Sequence, residues 1–378
     1  MSAPLPRVVL LGPAPPDRGG IAQETARLAG ELSKRGTVDY LTFSRPYPRW
    51  LDPRRYARDP GLSAAPAIPM LDFLSPRSWD RVAGFVENAG GALLVPWWTS
   101  FWALPVRAVF RKLAAASPEI PRVLLCHNLQ DHEGGGVGRF LTFGAFASAS
   151  AFVTHSEEDR RSLARMFPAR PAARIPLPVP ESAGVPREVA RRRLGIDGPL
   201  LLFLGLVRPY KGVDLLLDAA PEILRGGDAR IAIVGEVFPG SRKLRRRWER
   251  SPLKERILWN DVYLPEEEMA LWLAACDAVV LPYRKVSGSA IAARAIAARR
   301  PIAASAVGGL REIVRPGETG ELFDPGDARG LAAAVKRILE RGSESYAPGL
   351  DAAASRDTPR SYAAAILSFL ERSVARGR

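Results

Sequence analysis

The sequence predicts an α/β protein built from two successive parallel-sheet halves. Two features carry that expectation. Short runs rich in Val, Ile and Leu, each ending at glycine or polar residues, alternate with helical patterns. The alternation is interrupted once, by the proline-rich "RIPLPVPESAGVPREVARRRLG" beginning at Arg174, which reads as a linker. A length of 378 residues suits two domains of ordinary size, each with its own core.

The first half opens with the strand "RVVLLG" (7–12), a Gly/Pro loop, and the helical stripe Ile21, Ala22, Leu28 and Leu32, which Gly36 stops. "VDYLTF", "ALLVPW", "RVLLCHN" and "AFVTHS" follow as buried strands, and "SEEDRRSLARMF" starts a helix with Ser156 as its N-cap. The second half runs "GPLLLFLGL", "DLLLDAAPEIL", "ARIAIVGEV", "RILWNDV", "EEEMALWLAAC", "AVVLPY" and "RPIAAS". "RGLAAAVKRILERG" and "SYAAAILSFLERSVAR" are closing helices. Such alternation gives two Rossmann-like halves whose functional groups gather at the C-terminal ends of the strands.

A formal net charge of +14 points to an anionic partner, although an arginine-rich solvated surface explains the excess equally well. The bases are scattered apart from "SRKLRRRWERSPLKER" (241–256), so nucleic acid is not an expected partner. The two cysteines, Cys126 and Cys276, sit in apolar strand-like settings and argue for a reducing cytoplasm rather than a disulfide framework. "MSAPLPRVVLLGPAPP" is too short an apolar run for a signal peptide, and the uncharged stretch 88–106 is broken by Pro96 and Pro105.

Three stretches invite an anion. Gly19 and Gly20 lie between the first strand and its helix, where free amides and the helix dipole favour negative charge; a plain structural turn is the competing reading. Arg208 and Lys211 follow Gly205 at a strand end and suit a diphosphate, one as a fork and one as a point charge. Ser287, Gly288 and Ser289 open an Ala-rich helix, either as a second anion site or as an ordinary N-cap. From Asp277 to Glu312 the intervening charges are all positive: Arg284, Lys285, Arg294, Arg299, Arg300 and Arg311.

Together these stretches resemble the GT-B glycosyltransferases, specifically the family 4 (glycosyl transferase group 1) type, over nearly the whole chain. "RGGIAQETARLAGEL" is similar to the family's N-terminal glycine loop and "FLGLVRPYKGVDLLLDA" to its Arg/Lys donor motif. "DVYLPEEEMALWLAACDAVVLPY" and "RPIAASAVGGLREIVRPGETGELFDPGD" match its C-terminal half. The resemblance implies a GT-B fold, two Rossmann-like domains facing a central cleft. An acceptor domain at 1–182 would be followed by a nucleotide-sugar domain at 183–358, with a helix at about 359–378 packing back on the first. It also implies a retaining, metal-independent transferase using a nucleotide-sugar as co-substrate, with no cofactor. Its diphosphate would lie near Arg208 and Lys211, with Gly19, Gly20, Gly205, Glu236, Ser287, Gly288, Ser289 and Arg294 around the donor.

One departure stands out. The family's paired glutamates, eight positions apart, fall here at Val286 and Arg294, neither of which accepts a hydrogen bond from a sugar hydroxyl. Ser287 or Ser289 would then read the sugar, or Arg294 would bind a phosphate, or the protein would bind a sugar nucleotide without turning it over. His127 matches a family histidine near the donor sugar and is the catalytic candidate beside Arg208 and Lys211, with a structural histidine as the alternative. His132 and His155 would meet a phosphorylated acceptor or cap loops, and no zinc spacing is present. An epimerase of related architecture would need carboxylates such as Asp17, Asp131 and Glu133.

"PWWTSFW" (96–102) fits either core packing or an acceptor- or membrane-facing surface. In 242–256, Leu244, Trp248 and Leu253 interleave with bases in a way that suits anionic headgroups. The expected partners are a nucleotide-diphosphate sugar, a glycan or lipid-linked acceptor and an anionic membrane surface. The expected location is the cytoplasm, peripheral on the inner face of the membrane, in cell-envelope glycan synthesis.

Overall fold

The structure is a computed structural model that describes residues 7–45, 59, 62, 65–129 and 136–377. It divides into two compact units: Met1–Pro176 with Pro359–Arg378, and Leu177–Thr358.

The first unit holds β1 (Val8–Leu11), α1 (Gly20–Ser33), β2 (Val38–Arg45), β3 (Ile68–Asp72), α2 (Pro76–Ala89), β4 (Ala92–Trp97), α3 (Ala103–Ala116), β5 (Arg122–Cys126), α4 (Gly136–Phe146), β6 (Ala151–Thr154), α5 (Glu157–Met166) and β7 (Ala172–Arg174). Its strands form one parallel sheet, ordered β3-β2-β1-β4-β5-β6-β7. Residues alternate between the two faces, as a pleated strand requires: Val9, Leu11, Leu93 and Val95 enter one core layer, Val8, Leu10, Ala92 and Leu94 the other. The edge strand β3 carries Pro69, which gives no strand signal in the sequence and is tolerated at an edge.

The second unit holds α6 (Arg187–Leu194), β8 (Leu200–Leu204), α7 (Val213–Ile223), β9 (Arg230–Val234), α8 (Arg242–Glu249), β10 (Ile257–Asn260), α9 (Glu266–Ala275), β11 (Ala278–Leu281), α10 (Ala290–Ala297), β12 (Ile302–Ser305), α11 (Leu310–Ile313), β13 (Gly320–Phe323), α12 (Ala328–Arg341) and α13 (Ala347–Arg356). Its parallel sheet is ordered β10-β9-β8-β11-β12-β13. A final helix, α14 (Pro359–Gly377), belongs to the first unit, where Tyr362, Ala363, Ile366 and Leu370 are buried with Leu28 and Leu32 of α1.

In both sheets the chain winds outward from its first strand in one direction, then returns to wind in the other. This is the doubly wound order, with switch points at β1/β4 and β8/β11. The fold is therefore GT-B in its parts, two Rossmann-like parallel-sheet domains.

Two readings are corrected, and one choice between alternatives is decided. The stretch read as a linker is helical at Arg187–Leu194: Glu188 in the first turn, arginines in the last and left-handed Gly195 outweigh the prolines before it. For "PWWTSFW" the core-packing alternative holds: Trp97 and Trp102 are buried, and Trp102 stacks on Phe43 at 4.0 Å. In the basic segment the apolar residues turn inward. Leu244, Trp248 and Leu253 pack on the second unit's core, and the Trp248 indole donates to the Ile257 carbonyl at 2.7 Å. The bilayer-facing reading of that segment loses its apolar half.

Candidate active site

At the β8/β11 switch point the chain is shaped by glycines that no other residue replaces easily. Gly205 leaves β8 with φ +102, and an added Cβ there would stand 3.3 Å from Lys211 Nζ and 3.7 Å from Ile291 of α10. Gly212 has φ +68, and a Cβ on it would fall 1.8 Å from the Pro282 carbonyl oxygen. The Arg208–Gly212 turn therefore runs directly against the end of β11. Arg284 fastens it from the other side, donating to the Pro209 carbonyl at 2.7 Å and to the Asp214 carboxylate at 2.9 Å. The Arg284 amide also donates to the Tyr210 carbonyl at 2.8 Å.

Within this turn Arg208 lies over the Phe238 ring at 4.3 Å. Lys211 points its ammonium over the Tyr283 ring at 5.5 Å. Burial, with the Arg208 charge second, lowers the Lys211 pKa to about 8. Such an ammonium is poorly solvated and gains most from an incoming anion. Glu236 follows β9, and its carbonyl accepts from the Val207 amide at 2.9 Å, which seats it alongside the turn.

The acid-free turn before α10 is built as an N-terminus. Ser289 is the N-cap, its hydroxyl accepting from the Ala292 amide at 3.2 Å, and Ser287 and Ser289 are both buried. The backbone of this turn is gripped by Gly308 and Gly309: a Cβ on Gly308 would meet the Val286 carbonyl at 1.7 Å, and one on Gly309 the Ser287 carbonyl at 2.3 Å. Sequence reasoning missed this support. Its signal was the adjacent glycine pair in "AVGGL", inside a block already singled out for another reason.

The structure thus brings Gly205, Lys211, Tyr283 and the first turn of α10 together. Arg294, further along α10, occupies different surroundings. It is buried, pairs with Glu266 at 3.6 Å, and lines a cavity of about 90 Å³ with residues 180–185 and Arg300.

In the first unit, Gly19 has φ +120 and caps α1 without a side chain, while Gly20 is its first residue. Nothing stands within 4 Å of a Cβ on either, so the requirement for glycine at Gly19 is conformational. His127 follows β5, and its amide donates to the Trp97 carbonyl at 2.8 Å. Its ring nitrogen Nδ1 lies 3.2 Å from Nε2 of His155, whose Nδ1 lies 3.0 Å from the Ile175 carbonyl. Burial depresses both imidazoles, His155 to about 4 and His127 well below its usual range. His155 is therefore tied both to His127 and to the loop that leaves β7 at Ile175. Cys126 is a fully buried core residue, and Asp17 closes the Ala14–Asp17 turn, two residues before Gly19 in sequence. Asp131, His132 and Glu133 lie outside the described residues. Among the described residues no group of three or more His, Cys, Asp or Glu could hold a metal, and no helix is long and apolar enough to cross a membrane.

Residues 198–341 match the family of "Glycosyl transferases group 1". A D-inositol 3-phosphate glycosyltransferase of Thermomonospora curvata is 33% identical over 227 residues, 54% of this chain and 52% of that protein. One from Acidothermus cellulolyticus is 28% identical over 361 residues, 86% and 79% of the two chains. The matched segment spans about half the length of the first of these relatives. Among solved structures, sucrose-phosphate synthase from Thermosynechococcus elongatus shares the fold with a TM-score of 0.74 at 19% identity, covering 98% of this chain and all of that one. Anabaena Alr3699/HepE in complex with UDP does so at 0.74 and 16% identity, covering 97% of this chain and 100% of that one.

Proposed function

Because residues 198–341 match the glycosyl transferases group 1 family, we propose that the chain moves a sugar from a nucleoside-diphosphate donor to an acceptor. The single observation that carries this reading is Lys211, its pKa lowered to about 8 by burial and aimed across the strand-end turn beside Gly205 and Tyr283. In the reaction the bond from the anomeric carbon to the diphosphate oxygen breaks, and negative charge grows on the leaving diphosphate. Arg208, Lys211 and the amides opening α10 stabilise that charge in advance, which is the efficient way to lower such a barrier. The solved relative bound to UDP supports a nucleotide ligand for this fold. We assign retention of anomeric configuration, independence from metal ions, and Gly19, Gly20, Glu236, Ser287, Gly288 and Ser289 as donor contacts to the same proposal.

For the acceptor we propose a glycan or lipid-linked polyol in envelope synthesis. The solvent-facing bases Arg242, Lys243, Arg246 and Arg250 would hold the protein at an anionic surface by charge. The test is release of free sugar to water from a panel of UDP-, GDP- and ADP-sugars, run beside Lys211→Met. Hydrolysis of one donor, lost in the variant, supports the reading; a panel that is neither bound nor cleaved sinks it.

A second reading is favoured by one observation. Arg294, at the position where the family resemblance puts a glutamate, is engaged with Glu266 at 3.6 Å, and Val286 offers no acceptor. On this reading the protein binds a sugar nucleotide without turning it over, and the same panel would show calorimetric binding with no sugar released.

A further inference from the structure

His127, His155 and Ile175 form one row across three strands. β5 and β6 are parallel with Cys126 opposite Thr154, and β6 and β7 are parallel with Thr154 opposite Arg174. The next residue on each strand is therefore His127, His155 and Ile175, side by side at the C-terminal edge of the sheet. The side-chain contacts follow that register: Ile175 carbonyl to His155 Nδ1 at 3.0 Å, then His155 Nε2 to His127 Nδ1 at 3.2 Å.

Each contact fixes the next. A carbonyl oxygen only accepts, so His155 Nδ1 carries the hydrogen. A neutral imidazole holds one ring hydrogen, so His155 Nε2 is left as an acceptor. His155 is 4% exposed, and this burial keeps it neutral at ordinary pH. His127 must then donate from Nδ1, which leaves its Nε2 with a bare lone pair. No described residue hydrogen-bonds that Nε2, and His127 keeps part of its surface open.

We propose that His155 is a positioning residue: through the Ile175–His155–His127 row it sets the tautomer of His127, so that His127 offers Nε2 as a neutral acceptor to a ligand hydroxyl. An acceptor with no charge and no hydrogen repels phosphate oxygens, which are themselves acceptors, and takes the hydrogen of a sugar or polyol hydroxyl. The ligand part of this proposal rests on the nucleotide-sugar reading above. The tautomer part does not.

The experiment is long-range proton–nitrogen correlation on the full chain labelled with nitrogen-15 histidine at pH 7.5, with His132→Gln to assign the spectrum. The expected result is Nδ1–H for both His127 and His155, with Nε2 unprotonated in each. A wild-type His127 carrying its hydrogen on Nε2 overturns the relay, whatever the enzymatic assays show. In His155→Leu, His127 is expected to move toward the Nε2–H form, and an unchanged tautomer likewise overturns it. Titration with UDP-glucose, GDP-mannose and ADP-glucose against UDP, GDP, ADP and inorganic phosphate then reads the ligand. Movement of the His127 Nε2 resonance by a sugar-bearing nucleotide alone is expected. Movement by phosphate, or by none of the sugars, overturns the hydroxyl assignment while the tautomer result stands.

Discussion

Lys211 is a cation that burial makes reluctant. With its pKa near 8 it is charged at neutral pH and loses its proton just above. An anion beside it raises that pKa, so binding and protonation are linked. Affinity for a nucleoside diphosphate should therefore be flat below about pH 8 and fall up to about tenfold per pH unit above it. Lys211→Met should remove the slope and weaken binding about ten- to a hundredfold, the worth of one charged hydrogen bond; calorimetry across pH 6.5–9.5 measures both. Gly212 makes a stability prediction at the same scale. Gly212→Ala puts a Cβ against the Pro282 carbonyl in a left-handed turn, and should cost about 2 kcal/mol or more, read from thermal or denaturant unfolding. Lys211 was legible in the sequence, because paired cations close behind a strand-end glycine announce their chemistry locally. His155 was not. It lies 28 residues from His127, and only the β5–β6 register brings them together, which no local pattern encodes.

Single elements show where local pattern stops being informative. The alternation of bases with Leu244, Trp248 and Leu253 is what any surface helix needs, and periodicity does not say whether the apolar stripe meets a bilayer or the protein's own core. The structure answers core. Helix α10 was recognisable by its N-cap, and Ser289→Ala should cost about 1 kcal/mol of stability through loss of the bond from the Ala292 amide. If the turn also holds a diphosphate, the same variant loses affinity for the nucleotide by more than its stability loss explains, a difference that calorimetry at constant folded fraction resolves. The grip of Gly308 and Gly309 on this turn escaped sequence reasoning because it is a contact between loops following two different strands, β11 and β12.

For the whole molecule, two doubly wound sheets followed from the rhythm of apolar runs, and the return of α14 to the first unit followed from the family resemblance alone. The buried Ile366 and Leu370 make that return energetically substantial. Ile366→Ala should cost about 2–5 kcal/mol, as deletion of a buried aliphatic side chain does. A chain ending at residue 358 should lose the cooperative unfolding transition of the first unit while keeping that of the second, a split that calorimetric scans of the full-length and shortened chains compare.

A ribosome reads this gene in one direction, and the core that α14 completes is opened by β1, with the whole second unit encoded between them. The segment 177–358 is synthesised before the earlier-made half possesses all its pieces. Until α14 is made, the first unit waits with the apolar side of α1 uncovered, so a nonsense codon just before α14 would injure the first unit rather than the second.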